Sequence, residues 1–555
     1  MVNPSDNQDG KFPVDPIKPR KKYPSFFRNV IQYIYEYSEN STVHGVKYIG
    51  EKKRTATERF FWLVILGLSL YFCTYMIIKT YEKWDKSPVI VSFARSPTPI
   101  WEIPFPSVTI CSETKSRKSV FNFTETIMKF RTYNNLTDEE RDKLDKVALV
   151  CENHLFHQGS DFIKYDTIDF LTEIAPPFVE SLWQCKWLNT NTTCNDLFTP
   201  MLTEEGICFS FNMLDRDELF SNEVYHNKDY LAHGVRAEDW SLEKGYSEKL
   251  ETDTFPRRAI SAGQKAGLSI LLRAYDYDLD YICRGPVQGF KINLHHPAEY
   301  PLVSQQYFRA PLNQEVIVAV KPDMMTTSDG LKDYEPHRRQ CYFPSERELR
   351  FFKVYTQQNC EIECLTNYTL KACDCVGYHM PHTEDTKICG SKKLVCMHEA
   401  QVSLLKNQVE YGLKKSGSND EDSSDRYTCD CLPACTSLIY NAETSQADFN
   451  WQKVFESYKV NFSEFPGVQM TRVTLFFKEQ QFINSERNEL YGHTDFFANC
   501  GGLLGLFMGF SVLSVVEIIY FLSLRIICNI RKYGHHFWSG SADLVHNDAY
   551  DHKRR

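Results

Sequence analysis

The chain has 555 residues, a net charge of −9, and Lys and Arg scattered rather than clustered with aromatics, so nucleic acid is excluded as the expected partner. HExxH, GxSxG and phosphate-loop patterns do not occur, and His398-Glu399 lacks the second histidine of a zinc hydrolase, which argues against an ectoenzyme. A length that could hold several soluble domains is divided first by two apolar stretches near its ends.

Residues 1 to about 27, with Pro4, Pro13, Pro16, Pro19 and Pro24, are too polar and proline-rich to pack and are expected to be disordered. They lack the short apolar core of a secretory signal peptide, so the first span is expected to act as its own insertion signal. From Phe27 to Tyr37 apolar residues recur at helical spacing, which predicts an amphipathic helix on the inner membrane face before Asn40-Ser-Thr-Val-His-Gly45. Asn40 opens a glycosylation sequon, but on the cytosolic side it should stay unmodified. Phe60 to Ile78 is an uncharged run of about 19 residues, and Phe496 to Leu524 carries Glu517 as its one charge; both meet the length of a membrane helix. Lys52, Lys53, Arg54 and Arg59 precede the first run and Arg525, Arg531 and Lys532 follow the second, placing both termini in the cytosol. Lys79, Lys83 and Lys86 on the other side alternate with Glu82 and Asp85. The expected organisation is a cytosolic region 1–59, a membrane helix 60–78, an extracellular cysteine-rich domain 79–495, a second membrane helix 496–524 and a cytosolic tail 525–555.

Between the spans, 16 of the 19 cysteines lie from Cys111 to Cys435, an even number in the segment expected to meet an oxidising compartment. The same segment carries sequons at Asn122, Asn135, Asn191, Asn367 and Asn461. Strand-like and helix-like patterns mix there, giving an α+β domain. Ile103–Cys111 and Gly289–Leu294 read as strands, Glu139–Val150 and Glu346–Thr356 as helices, and Val473, Leu475 and Phe477 alternate as in a strand. Asp420, Glu421, Asp422 and Asp425, among serines, read as a solvated loop rather than a calcium site.

The cysteines have a mirrored spacing, with Cys341, Cys360, Cys364, Cys373 and Cys375 on one side and Cys389, Cys396, Cys429, Cys431 and Cys435 on the other. Nested pairing would staple two antiparallel helices into a ladder, although spacing does not fix the partners. Zinc at Cys373-x-Cys375 or Cys429-x-Cys431 competes poorly, since the compartment is oxidising and histidine ligands are not interleaved. No metal or cofactor is expected apart from a permeant ion.

In the second span Gly501, Gly505 and Gly509 have small-xxx-small spacing that lets helices approach closely. Ser511, Ser514 and Glu517 on the same helix add groups that are costly in lipid, and together they indicate a polar pathway.

Five stretches from residue 44 to residue 517 resemble the degenerin and epithelial sodium channel family, most closely its pickpocket branch. His44-Gly45 resembles the family's cytosolic gating motif, Phe105-Pro-Ser-Val-Thr-Ile-Cys111 the strand that opens its palm domain, and Gly206-Ile-Cys-Phe-Ser-Phe-Asn212 part of its ectodomain framework. Cys429-Asp-Cys-Leu-Pro-Ala-Cys435 resembles the end of its thumb cysteines, and Gly509-Phe510-Ser511 falls on its Gly/Ser-x-Ser selectivity filter. The resemblance implies a plasma-membrane channel: a trimer, homomeric or heteromeric with related subunits, each with two membrane helices and an outer domain shaped like a clenched hand. It implies sodium conduction, amiloride sensitivity and an extracellular stimulus that the sequence does not identify. An accessory subunit conducting only in a heteromer and an ATP-gated two-span trimer are the alternatives.

The family's thumb pattern implies Cys341 with Cys435, Cys360 with Cys431, Cys364 with Cys429, Cys373 with Cys396 and Cys375 with Cys389. Its other bridges imply Cys111 with Cys208 and Cys185 with Cys194, leaving Cys151 and Cys283 to pair by elimination only. Three copies of Ser511, with carbonyls exposed where Gly509 lets the helix break, would supply oxygens that replace part of a cation's water shell. Ser514 and Glu517 are expected in the pore or vestibule, although on an unbroken helix Glu517 lies about 120° around from Ser511 and could pair structurally instead. His44 and Gly45 are expected in a gating turn. Ala498 occupies the small-residue position at which bulky side chains hold degenerin-type channels open. Asn499, where the family often has an acidic residue, makes the outer mouth less negative.

Overall fold

The structure is a computed structural model that describes residues 24–51, 54–86, 89–133, 135–151, 159–164, 166–225, 230–238, 240–247, 254–417, 429–459, 466–490, 492–541 and 544. Asn461, the acidic run Asp420 to Asp425, Lys52, Lys53 and the prolines up to Pro19 lie outside the described residues. The chain forms two compact units, Met1–Pro88 with Glu489–Arg555, and Val89–Asn488.

The larger unit is α+β and is organised by two sheets. In the eight-stranded sheet the 14-residue strand Gln314–Thr327 runs parallel to Val468–Phe477 and antiparallel to Ser437–Asp448. Val468–Phe477 in turn pairs antiparallel with Leu268–Tyr275. Alternation sets the register: Val316, Val318 and Val320 stand opposite Val473, Leu475 and Phe477, while Leu268 and Ile270 stand opposite Leu475 and Val473. All eight are fully buried. At about 1.5–3 kcal/mol for each fully buried aliphatic or aromatic side chain, a one-residue slip of one strand would forfeit an amount comparable to the net stability of a domain.

The five-stranded sheet has the order Phe308–Pro311, Gly289–His295, Ser107–Ser112, Gly206–Phe211, Phe198–Thr203. Cys111 sits directly opposite Cys208 in this register, and the two are disulfide-bonded. Gly206 opens its strand at φ +89°, a left-handed turn open to glycine at little steric cost. At the other end Asn212, also left-handed at φ +60°, donates to Phe105 O at 2.6 Å and accepts from the Arg257 amide at 2.5 Å. Phe105 meets Trp187 and Phe477 edge-on at 5.0 and 5.3 Å, and Trp187 lies 5.2 Å from Phe211, so aromatic contacts join residues from both sheets.

Buried charge is compensated locally. Glu205 is met by Lys291 at 2.7 Å, Lys115 at 2.8 Å and Arg284 at 3.4 Å. Burial alone would raise its carboxyl pKa, but the three cations outweigh that and hold it well below the usual carboxylate range.

The helix expected over Glu139–Val150 forms as Asp138–Val147, behind a Thr137/Glu140 capping box. The expected helix over 346–356 does not. Phe351 and Phe352 are both buried, and the Arg350 and Phe351 amides donate to the Glu363 carboxylate at 3.0 and 2.8 Å. Side-chain burial and a carboxylate supplied from a later helix satisfy this segment in a non-helical path, and the helix starts instead at Gln357, capped by Thr356.

That helix, Gln357–Cys373, carries the disulfide framework. Cys360 and Cys364 lie one turn apart on one face and bond to Cys431 and Cys429, two residues apart on a non-helical segment. One helical turn and two extended residues both rise about 5–7 Å, which makes the rungs commensurate. Two rungs therefore join a helix to a non-helical segment containing Pro433, while Cys373–Cys396 links two helices, Gln357–Cys373 and Leu394–Gly417. Cys341–Cys435, Cys375–Cys389, Cys151–Cys283 and Cys185–Cys194 complete the set.

Two outcomes are expected. Leu475→Ala, at the fully buried centre of the large sheet, should cost about 2–5 kcal/mol, read as a lower thermal midpoint of the purified chain. Glu299, beside the cap at Thr356, has its carboxyl pushed up to about 7 by burial, against hydrogen bonds from the His296 backbone and Thr356 and with Glu361 nearby. Its folded pKa lies above the unfolded value of about 4.3, so its stabilising contribution is complete below that value and is lost as pH rises through about 7. Stability profiles of wild type and Glu299→Gln should diverge across that window, the variant lacking the decline.

Candidate functional site

The smaller unit contains two helices long and apolar enough to span a membrane, Ala56–Lys86 and Val512–Tyr533. The helix His493–Met508 precedes the second and is separated from it by Gly509-Phe510-Ser511. Local chemistry explains the break. Gly509 adopts φ +63° as a left-handed C-terminal cap, its amide donating to Gly505 O at 2.8 Å and the Phe510 amide to Leu504 O at 3.3 Å. Ser511 then caps the next helix: its hydroxyl accepts from the Ser514 amide at 3.3 Å, and the Ser514 hydroxyl accepts from the Ser511 amide at 3.2 Å. A glycine stop followed within two residues by a serine start turns one apolar run into two helices.

The carbonyls freed by the break find donors far away in sequence. Met508 O accepts from the His44 amide at 2.9 Å, and Phe507 O accepts from the Ser69 hydroxyl at 2.6 Å. Both carbonyls are thus occupied within the single chain. His44 lies directly over the break, because a Cβ added at Gly509 would sit 2.0 Å from His44 Nδ1. Gly45 turns the chain at φ +89° and caps the short helix Val46–Gly50.

Two residues before His44, Thr42 ties the same loop to the first turns of the helix Val512–Tyr533. Its hydroxyl is 2.7 Å from Glu517 Oε2 and 3.0 Å from Ser514 Oγ, and its amide points at both Glu517 oxygens at 3.3 Å. Ser514 is buried by these contacts, whereas Ser511 is exposed. Glu517 therefore has a pairing partner, and the structure brings His44, Gly509, Ser511, Ser514 and Glu517 into one neighbourhood. Ala498 lies apart, exposed on the helix His493–Met508 next to exposed Asn499. Sequence reasoning missed Thr42 and Ser69; the available signal was a hydroxyl inside the uncharged first run and a threonine adjoining the His-Gly pair.

Beyond this loop the terminal segments interlock. Asn29, on the amphipathic helix Phe26–Asn40, donates to His536 O at 3.0 Å and accepts from the Ser539 hydroxyl at 2.7 Å, while Arg525 reaches Glu36 at 2.6 Å. The Tyr33 hydroxyl donates to Phe521 O, and its ring lies 5.6 Å from Trp538. In the larger unit, Asn135 and Asn191 are exposed, Asn122 caps the helix Phe123–Tyr133 through the Glu125 amide, and Asn367 is half-buried within Gln357–Cys373.

Residues 37–521 match the family model described as amiloride-sensitive sodium channel. The chain belongs to that family. Pickpocket protein 28 of Drosophila melanogaster is 29% identical over 532 residues, covering 91% of this chain and 80% of the relative. Sodium channel protein Nach of the same organism is 23% identical over 89% of this chain and 88% of its own length. Acid-sensing ion channel 4-B of Danio rerio is 21% identical over 88% and 75%. This member of the amiloride-sensitive family is thus a two-span sodium channel subunit and not an enzyme, and the family match sets aside the ATP-gated reading.

Thr42→Val should remove the bonds from its hydroxyl to Ser514 and Glu517 while keeping side-chain shape. Amide hydrogen exchange over residues 41–46 should speed up by about tenfold, the equivalent of roughly 1.4 kcal/mol from one or two hydrogen bonds, with exchange in the large sheet unchanged.

Proposed function

We propose that this chain is a subunit of a trimeric, sodium-permeable, amiloride-sensitive cation channel of the plasma membrane, opened by an extracellular stimulus, with both termini cytosolic. The observation that carries the reading is the broken span at Gly509-Phe510-Ser511, with the His44 amide bonded to Met508 O at its edge. Three exposed Ser511 hydroxyls around an axis, with the carbonyls of Gly509 and Phe510, form a narrow oxygen ring that replaces part of a sodium ion's hydration shell. On its inner side three Glu517 carboxylates raise the local cation concentration while anchoring the Thr42 to Gly45 loop. Because the loop bonds to the residues next to the ring, displacing it changes the pore, which gives His44 and Gly45 a gating role. Ala498 leaves the outer helix free of bulk, so that the pore can close. The outer sequons at Asn122, Asn135, Asn191, Asn367 and Asn461 are glycan acceptors in this topology. A permeant sodium ion is the one inorganic partner required.

The test is current from the chain expressed alone, with external sodium replaced by potassium and with amiloride added. Ser511→Ala should shift the reversal potential toward equal permeability. A conducting Ser511→Ala channel with unchanged selectivity would sink the filter assignment. Silence of a surface-expressed wild type that is relieved by a related subunit would assign the chain to a heteromer.

A further inference from the structure

An α-helix continues by donating each amide to the carbonyl four residues earlier. To run unbroken from His493–Met508 into Val512–Tyr533, the chain would send the Ser511 amide to Phe507 O and the Val512 amide to Met508 O. Neither bond is made. Phe507 O accepts from the Ser69 hydroxyl at 2.6 Å, Met508 O accepts from the His44 amide at 2.9 Å, and the Ser511 amide donates to the Ser514 hydroxyl at 3.2 Å. The two acceptors that continuation requires are the two that other segments hold.

Local sequence leaves both paths open. Gly509 takes the left-handed cap at φ +63°, but glycine enters a right-handed helix as well. The cap formed by Ser511 and Ser514 competes with the helical ladder for one donor, the Ser511 amide. In apolar surroundings a bare carbonyl is costly, so Phe507 O without its hydroxyl partner takes the donor that the helical path brings to it, and that donor is the Ser511 amide. Of the two donors from outside, the His44 amide is backbone and is present whatever side chain stands there. Ser69 is the side-chain donor. It is half-buried on the helix Ala56–Lys86, whereas Leu68 and Leu70 beside it are exposed, so its hydroxyl is turned from the lipid-facing side toward the neighbouring helix.

We propose that Ser69 is a positioning residue for ion selection: by holding Phe507 O it denies that acceptor to the Ser511 amide and keeps Gly509-Phe510-Ser511 out of the helix. Without its hydroxyl the Ser511 amide leaves Ser514 Oγ for Phe507 O, the reciprocal Ser511/Ser514 cap is lost, and the helix His493–Met508 advances through the break. The carbonyls of Gly509 and Phe510 then turn along the helix axis, away from any ion beside them. The consequence for ion selection rests on the filter reading proposed above; the hold on the break does not.

The experiment follows amide hydrogen exchange by mass spectrometry in the full-length chain in lipid nanodiscs, in peptides covering residues 505–515. Ser69→Thr keeps the hydroxyl and should exchange as wild type. Ser69→Val has the shape of threonine without the hydroxyl, and Ser69→Ala removes the hydroxyl without added bulk; in both, exchange there should slow at least fivefold as the Ser511 amide enters the helical ladder. Loss of a merely stabilising contact has the opposite sign, so unchanged or faster exchange in either variant whose large sheet is protected as in wild type overturns the role of Ser69. Current is recorded from the same variants, with a related subunit coexpressed where the chain alone is silent. Ser69→Val should lower the sodium-to-potassium permeability ratio at least twofold, and Ser69→Thr should keep it. Unchanged selectivity in Ser69→Val beside altered selectivity in Ser511→Ala overturns the positioning role in ion selection. Unchanged selectivity in both overturns the filter reading, and the exchange result then judges Ser69 by itself.

Discussion

A helix that stops in apolar surroundings leaves carbonyl oxygens that hydrocarbon cannot solvate, at several kcal/mol each. In this channel subunit the stop at Met508 is met by an amide from the other end of the chain and by a hydroxyl from the other span. That requirement links the two spans and the loop from Thr42 to Gly45 into one structure. It demands a glycine at 509, because the imidazole of His44 occupies the space of a side chain there, and a turn at Gly45 to deliver the amide. It also makes Thr42 useful, since a residue two positions from His44 can then reach Ser514 and Glu517. Gly509-Phe510-Ser511 and the loop from Thr42 to Gly45 are in this sense one hydrogen-bonded unit.

The larger unit solves a different problem. Its sheets are specified by alternation, with buried valines and leucines matched across three strands, while its helical part is specified by sulfur. The sheet can be read as a rigid floor because every slip exposes a fully buried row. The helix Gln357–Cys373 is fixed to a non-helical segment by two rungs whose spacings agree, so neither partner can shift along the other without breaking bonds.

What was legible in the sequence was whatever depended on near neighbours. The alternation of Val473, Leu475 and Phe477 announces their strand, and Glu139–Val150 carries its own cap in Thr137 and Glu140. The break at Gly509-Phe510-Ser511 is written as a glycine stop and a serine start. The helix expected over 346–356 failed because its fate is decided by Glu363 and by burial of two adjacent phenylalanines, facts of tertiary structure. The ladder was expected to join two helices, yet Pro433 in the second half of the spacing is a local sign against helix that the mirrored cysteines overshadowed. Thr42 with Glu517 could not be read at all: 475 residues separate them, and neither has a pattern that names the other.

The clasp between the terminal segments bears on how such a chain enters a membrane. Asn29, Tyr33 and Glu36 meet partners between Phe521 and Ser539, so the two ends of the protein are held on the same side of the paired spans. Whichever leaflet receives one end receives the other. A chain inserted the wrong way round cannot be corrected by moving one helix; the whole pair must invert together, with both polar ends crossing the bilayer. Orientation is consequently shared by the two segments, which are held by partners 488 to 510 residues apart.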